Sequence, residues 1–285
     1  MNAILPHVKD IVLEEINNLS KFFPYNIKKF FDKRLIYSLN ILTFIKPNLK
    51  LSDDFVKKLV KLIAGIELLA LGVNLHSFDV DDFVILANNI RQKSDKEFRE
   101  KSEKQYTVDL LFGDICYSRA VIFLLEYRDF YIFESILDSL KSAHLNRILL
   151  HQKLVEALNT SKRNSDIFNN YEVKMTELIG ESMDLIIGIN SLLKTSFIIG
   201  WGLFSDYEDF KFPYDVVNNF ILYKAYSDLE IFSENLPEEF YFLKKNKYIN
   251  RKKNSIKKQI SNIISTLKPD WLKNNFRILE RLYLF

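Results

Sequence analysis

The sequence predicts an all-α fold, and three observations carry that expectation. Glycine and proline number only 7 and 6 in 285 residues, whereas an all-β chain of this length needs a turn residue every few positions. Apolar residues recur at helical spacing through most of the chain. The balance of 48% hydrophobic and 27% charged residues supplies a core with no composition typical of disorder.

The elements follow in order. Pro24 to Ile45 reads as a helix through Phe30, Leu35, Ile36, Leu39 and Leu42, opened by Pro24 and closed by Pro47. Ser52 reads as an N-cap, with Asp53 and Asp54 in the first turn facing the helix dipole. The helix after it is apolar nearly all round from Leu62 to about Asn74 and belongs at the centre of a bundle. Gly65 and Gly72 lie two turns apart on one face of it and admit either a close neighbour or a ligand, with close packing preferred. Ile90 to Lys104 is charged and weakly periodic, a solvated helix or connection. Tyr106 to Leu125 is an apolar helix interrupted at Gly113-Asp114, and Phe130 to Leu158 continues the helical pattern. A polar break spans Thr160 to Asn170, one or two helices run from Tyr171 to Phe204, and Ser205 to Pro213 forms an acidic, aromatic turn. Helices broken near Pro237 and Pro269 complete the chain. No internal repeat or strong linker divides it, so residues 1–285 are expected to form one domain, with N-terminal helices over 1–50 and a core over 51–285.

Composition narrows the function. With 40 basic and 37 acidic side chains, the surface as a whole is too balanced for nucleic-acid binding. A single cysteine, Cys116, forms no internal disulfide and reads as a buried small hydrophobe. With no secretory signal pattern and no long apolar run, a cytoplasmic protein is expected. His7, His76, His144 and His151 are scattered and favour core or surface roles over metal ligation. A phosphate-binding glycine loop, His-Glu-x-x-His and Cys-x-x-Cys are all missing from the sequence. Lys244 to Lys258 is a basic stretch that reads as a solvated helix face or as a contact for an anionic membrane or acidic partner.

Three segments carry a more specific signal: Glu67 to Asp81, containing Leu75-His76; Leu110 to Ala120, containing Gly113-Asp114 and Arg119; and Gly200 to Asp209. In this order they resemble the trans-isoprenyl diphosphate synthases, whose core helices carry Leu-His-Asp-Asp-x-x-Asp, Gly-Asp-x-x-x-x-Arg-Ala and Phe-Gln-x-x-Asp-Asp-x-x-Asp. His151-Gln152 and Lys174-Met-Thr176 are weaker echoes. The resemblance spans roughly residues 50 to 285. It implies an isoprenoid-synthase bundle with a central cavity, in which the helix ending near Leu75 faces the helix ending near Phe204.

The departures matter as much. In that family, magnesium held between two aspartate-rich helices neutralises the departing diphosphate. Here the first motif aligns as Ser77, Phe78, Asp79, Val80 and Asp81, and only Asp81 keeps an expected carboxylate; Asp82 adds charge out of frame. The second aligns as Ser205, Asp206, Tyr207, Glu208 and Asp209, with its first aspartate lost and Gly202 in place of the usual glutamine. The usual Arg-Arg pair is reduced to Arg91-Gln-Lys93. Each lost transition-state contact of about 3 kcal/mol lowers the rate about a hundredfold.

The pattern therefore resembles the non-catalytic component I of heptaprenyl diphosphate synthases. That resemblance implies an accessory subunit of a long-chain polyprenyl diphosphate synthase, in quinone side-chain biosynthesis, with no cofactor on this chain and Mg2+ on a catalytic partner. The family pairs through helices in the region of Gly113-Asp114, where Leu110, Leu111, Phe112, Ile115, Val121, Ile122, Phe123 and Leu124 are apolar on more than one face. Phe78, Phe112, Phe123, Phe197 and Trp201 are candidates either for the core or for an isoprenoid-tail tunnel. Two alternatives stand beside this reading. One is a divergent prenyltransferase or isoprenoid-binding protein acting alone, with Asp79, Asp81, Asp82, Asp206 and Asp209 as a reduced metal site. The other is an unrelated helical interaction protein.

Overall fold

A computed structural model describes residues 4–21, 34–76, 96–163, 171–204, 212–234 and 247–284. Among the described residues the fold is all-α, with ten helices and no strand. They are α1 (Ile4–Ser20), α2 (Ile36–Leu42), α3 (Asp53–Leu75), α4 (Lys96–Tyr127), α5 (Phe130–Arg163), α6 (Tyr171–Ile189), α7 (Ser191–Phe204), α8 (Tyr214–Glu234), α9 (Lys247–Thr266) and α10 (Asp270–Leu284).

The organising element is α3. Its start follows the expected chemistry: Ser52 Oγ accepts from the backbone N–H of Phe55 at 3.2 Å, with Asp53 and Asp54 in the first turn. From Leu59 to Val73 nearly every residue of α3 is buried, as a helix apolar all round requires. Its main neighbour is α4, running antiparallel. Gly65 meets the Ala120 carbonyl and Leu124, and Gly72 meets Tyr117 and the Gly113 carbonyl. The two glycines therefore serve close helix packing, not a ligand. A Cβ on Gly72 would lie 2.5 Å from Tyr117 Cε1.

On the other flank, α2 lies between α3 and α7. Gly200 of α7 packs directly on the backbone of Ile41. Asn40 Nδ2 donates to Ser196 Oγ at 2.8 Å, and Tyr283 Oη of α10 donates to Asn40 Oδ1 at 2.7 Å. An aromatic cluster fills the space between α2, α7, α8 and α10: the Phe276 ring lies 5.9 Å from Phe44, 6.3 Å from Phe197 and 6.2 Å from Phe220. Phe112, Phe123 and Phe197 are thus core residues.

Several expected boundaries move. Residues 22–33 lie outside the described residues, and α2 begins only at Ile36, because Leu35 takes a left-handed conformation at φ 53° that no helix continues through. The turn buries Leu35 and Ile36 together. The same helix ends at Leu42 and not near Pro47. Gly113-Asp114 does not interrupt α4, which runs through it without a break, because the missing Cβ is used for packing and not for a turn. The polar break expected from Thr160 starts later, with α5 helical to Arg163. Residues 171–204 form two helices, parted at Asn190, whose Nδ2 donates to the Ile186 carbonyl and to Asp228 Oδ2.

Candidate functional site

Two of the three matched segments meet. The end of α3 lies against Gly113, where a Cβ would overlap the His76 ring. His76 Nε2 is 3.0 Å from the Leu110 carbonyl and 3.4 Å from Asp114 Oδ1. Leu75-His76 and Gly113-Asp114 therefore form one junction. Asp114 is largely solvent-exposed, at 68%. Arg119 turns away, and its guanidinium clasps Glu15 of α1 at 2.7 and 2.5 Å.

The third segment lies elsewhere. Phe204, the last residue of α7, stacks edge-on against Phe55 in the first turn of α3, with ring centroids 6.4 Å apart. From Phe55 to His76 the helix rises about 31 Å. The sequence expectation has the helix ending near Leu75 and the helix ending near Phe204 facing each other across a central cavity; in the structure the end of α7 lies beside the first turn of α3. Because α7 runs antiparallel to α3, the two ends lie at opposite ends of α3. Ser77, Phe78, Asp79, Asp81 and Asp82, and Ser205, Asp206 and Asp209, lie outside the described residues. So do Arg91 and Lys93, and the side chains of His151, Lys174 and Thr176. Among the described residues no three His, Cys, Asp or Glu side chains gather as a metal site.

Glu67, which opens the first segment, has a structural role. It is buried at 3% exposure, and its Oε1 accepts from the Ser38 backbone N–H at 2.8 Å and from Ser38 Oγ at 2.7 Å. It thereby ties α2 to α3.

Around the His76 junction the structure gathers a polar layer that sequence reasoning missed. Tyr117 Oη and His144 Nε2 are 2.8 Å apart, and the His76 ring lies 4.8 Å from Tyr117 and 5.9 Å from His144. Arg147 Nη1 donates to the Val73 carbonyl at 2.8 Å and so caps the end of α3. Burial holds the His144 imidazole below its ordinary range, assisted by the Arg147 charge and by His76. Burial likewise lowers Arg147 and raises the Tyr117 phenol. The layer brings two imidazoles, a phenol and a guanidinium together from three helices. Cys116, fully buried beside it, has its thiol pushed up to about 12 by burial and by Glu15, which leaves it inert. The sequence signal that was available is the spacing of His144 and Arg147, one turn apart on α5.

The model of no known protein family matches this chain, and no curated protein or solved structure matches it. Among the described residues no single helix is long and apolar enough to cross a membrane.

Proposed function

We propose that this chain is a non-catalytic helical subunit that docks a partner protein on the outward face of α4. The observation that carries the reading is the separation of that helix into two apolar faces. Phe112, Cys116, Ala120 and Leu124 are buried against the chain's own core, while Leu111, Ile122 and Leu125 remain 48, 46 and 49% exposed. Leu111, Ile115, Ser118, Ile122 and Leu125 follow the alternating four- and three-residue spacing of a helix-pairing seam. A helix buried only in its own bundle needs one stripe; the second stripe fits a helix of another chain.

The partner favoured by the order of the matched segments is a polyprenyl diphosphate synthase subunit with intact aspartate-rich motifs, which would hold the magnesium, in a cytoplasmic setting.

Ile122→Asp tests the docking face. With Ile122 nearly half exposed, the variant should keep its helicity and melting temperature yet fail to co-purify with the partner, and the complex should lose activity. Retained pairing would refute the face. A wild-type chain that captures a partner through Ile122, but never a synthase with intact motifs, would keep the docking surface and discard the prenyl-synthase assignment.

A further inference from the structure

Charge is distributed unevenly along this nearly neutral chain. Residues 247–284, which form α9 and α10, hold ten basic side chains against two acidic ones; the rest of the chain holds 30 basic and 35 acidic. A net +8 hairpin is thus joined to a body of net −5. The two helices run antiparallel, with Lys257 Nζ donating to the Leu284 carbonyl at 3.2 Å and Ser261 Oγ bonded to Glu280 across the seam.

The buried stripes fix which way the charges face. In α9, Ile249, Ile256, Ile260 and Ile264 are buried, so helical geometry places Arg251 and Lys258 on the opposite side. In α10, Leu272, Phe276, Leu279 and Tyr283 are buried, and Arg277 and Arg281 face outward. Arg251, Lys252, Lys258, Arg277 and Arg281 are all exposed. Of the two carboxylates, Glu280 is engaged at the seam and Asp270 sits at the first turn of α10. Ile278 lies among these cations at 44% exposure. Tyr248 and Trp271 are half-buried at the flanks, where amphipathic rings suit a lipid headgroup layer.

We propose that the outward face of the α9–α10 hairpin docks on an anionic lipid bilayer, as a peripheral contact. Basic side chains near an anionic leaflet each contribute favourably, while the net-negative body is repelled and turns the hairpin toward the surface. The exposed aliphatic Ile278 between cations favours lipid over a nucleic-acid backbone, which offers it no apolar partner. This inference is independent of the docking face on α4.

The test uses the full chain and sedimented vesicles, of phosphatidylcholine alone or with one-third phosphatidylglycerol. Wild type should bind the anionic vesicles at low salt, release at high salt, and ignore neutral ones. Neutralising Arg251, Lys258 and Arg281 together to Gln should lower partitioning about a hundredfold. The same change at Lys57, Lys141 and Lys194, exposed elsewhere, should have a far smaller effect. Ile278→Ser should weaken binding without changing its salt dependence. The proposal is overturned if wild type shows no preference for anionic vesicles, if the hairpin triple variant binds as wild type does, or if both triple variants lose equally. Binding to duplex DNA with none to vesicles overturns it too.

Discussion

Gly200 offers a sharp test of the packing, because the same helix carries its own control. An ideal Cβ at Gly200 would lie 2.5 Å from the Ile41 carbonyl oxygen and 2.6 Å from Ile41 Cα. These are backbone atoms, so no rotamer change relieves the overlap; α7 must move away from α2. Overpacking of this kind costs about 3 kcal/mol. Alanine returns about 1 kcal/mol of helix propensity, leaving Gly200→Ala about 2 kcal/mol less stable. Two residues on, a Cβ at Gly202 meets nothing within 4 Å, so Gly202→Ala should gain about 1 kcal/mol from propensity alone. The two variants should thus differ by about 3 kcal/mol. Urea denaturation followed by circular dichroism measures this, with unchanged slopes confirming that only stability has moved. If Gly200→Ala proves as stable as Gly202→Ala, the α2–α7 contact described here is wrong.

Three further predictions concern buried polar groups. Glu67→Ala leaves the Ser38 N–H and hydroxyl without the carboxylate they bond and should cost about 3 kcal/mol in the same denaturation assay; a cost below that of an exposed Glu→Ala would contradict the tie between α2 and α3. Burial holds the His144 ring below the ordinary histidine range, so between its folded and unfolded pKa values the unfolded chain binds more protons. The stability that the neutral ring contributes is present above the unfolded value and is lost as pH falls below it. His144→Gln should flatten the slope of stability against pH below about 6.5. Cys116, with its thiol at about 12 and no exposure, should react with a thiol reagent only at the rate of unfolding; rapid labelling of native protein would show an opening that the packing excludes.

The helices were legible where local chemistry decides them. Ser52 with Asp53 and Asp54 marked the start of α3, and Pro269 marked the break between α9 and α10. The all-round apolar run after Lys61 marked α3 as central. Legibility failed where tertiary contacts decide. Leu35 has no local reason to leave the helix; only the burial of its neighbours against α3 and α7 holds φ at 53°. Gly113 looked like a turn residue because its function, admitting the His76 ring, belongs to another helix. The direction of α7 was also hidden, since segment order along the chain does not say whether a helix runs up or down the bundle. His76, Tyr117, His144 and Arg147 come from three helices, so no window of sequence joined them.

The seam between α2 and α10 has a consequence for how the chain reaches this state. Asn275 Nδ2 donates to the carbonyls of Thr43 and Ile45 at 2.9 and 3.1 Å, spanning 232 and 230 residues, and Tyr283 reaches Asn40 across 243. The α3–α4 pair, by contrast, joins segments only tens of residues apart. Closing a longer loop costs more chain entropy before any contact repays it, so the expected order is α3 with α4 first and the α2–α10 seam late. Until that seam closes, Leu39, Ile41 and Phe44, all buried in the finished protein, lack part of their cover. Pulsed hydrogen exchange during refolding reads this order directly: amides of α3 should gain protection before those of α2, and an intermediate with α2 protected first would reverse it. A chaperone that catches this protein midway would, on this ordering, be gripping α2.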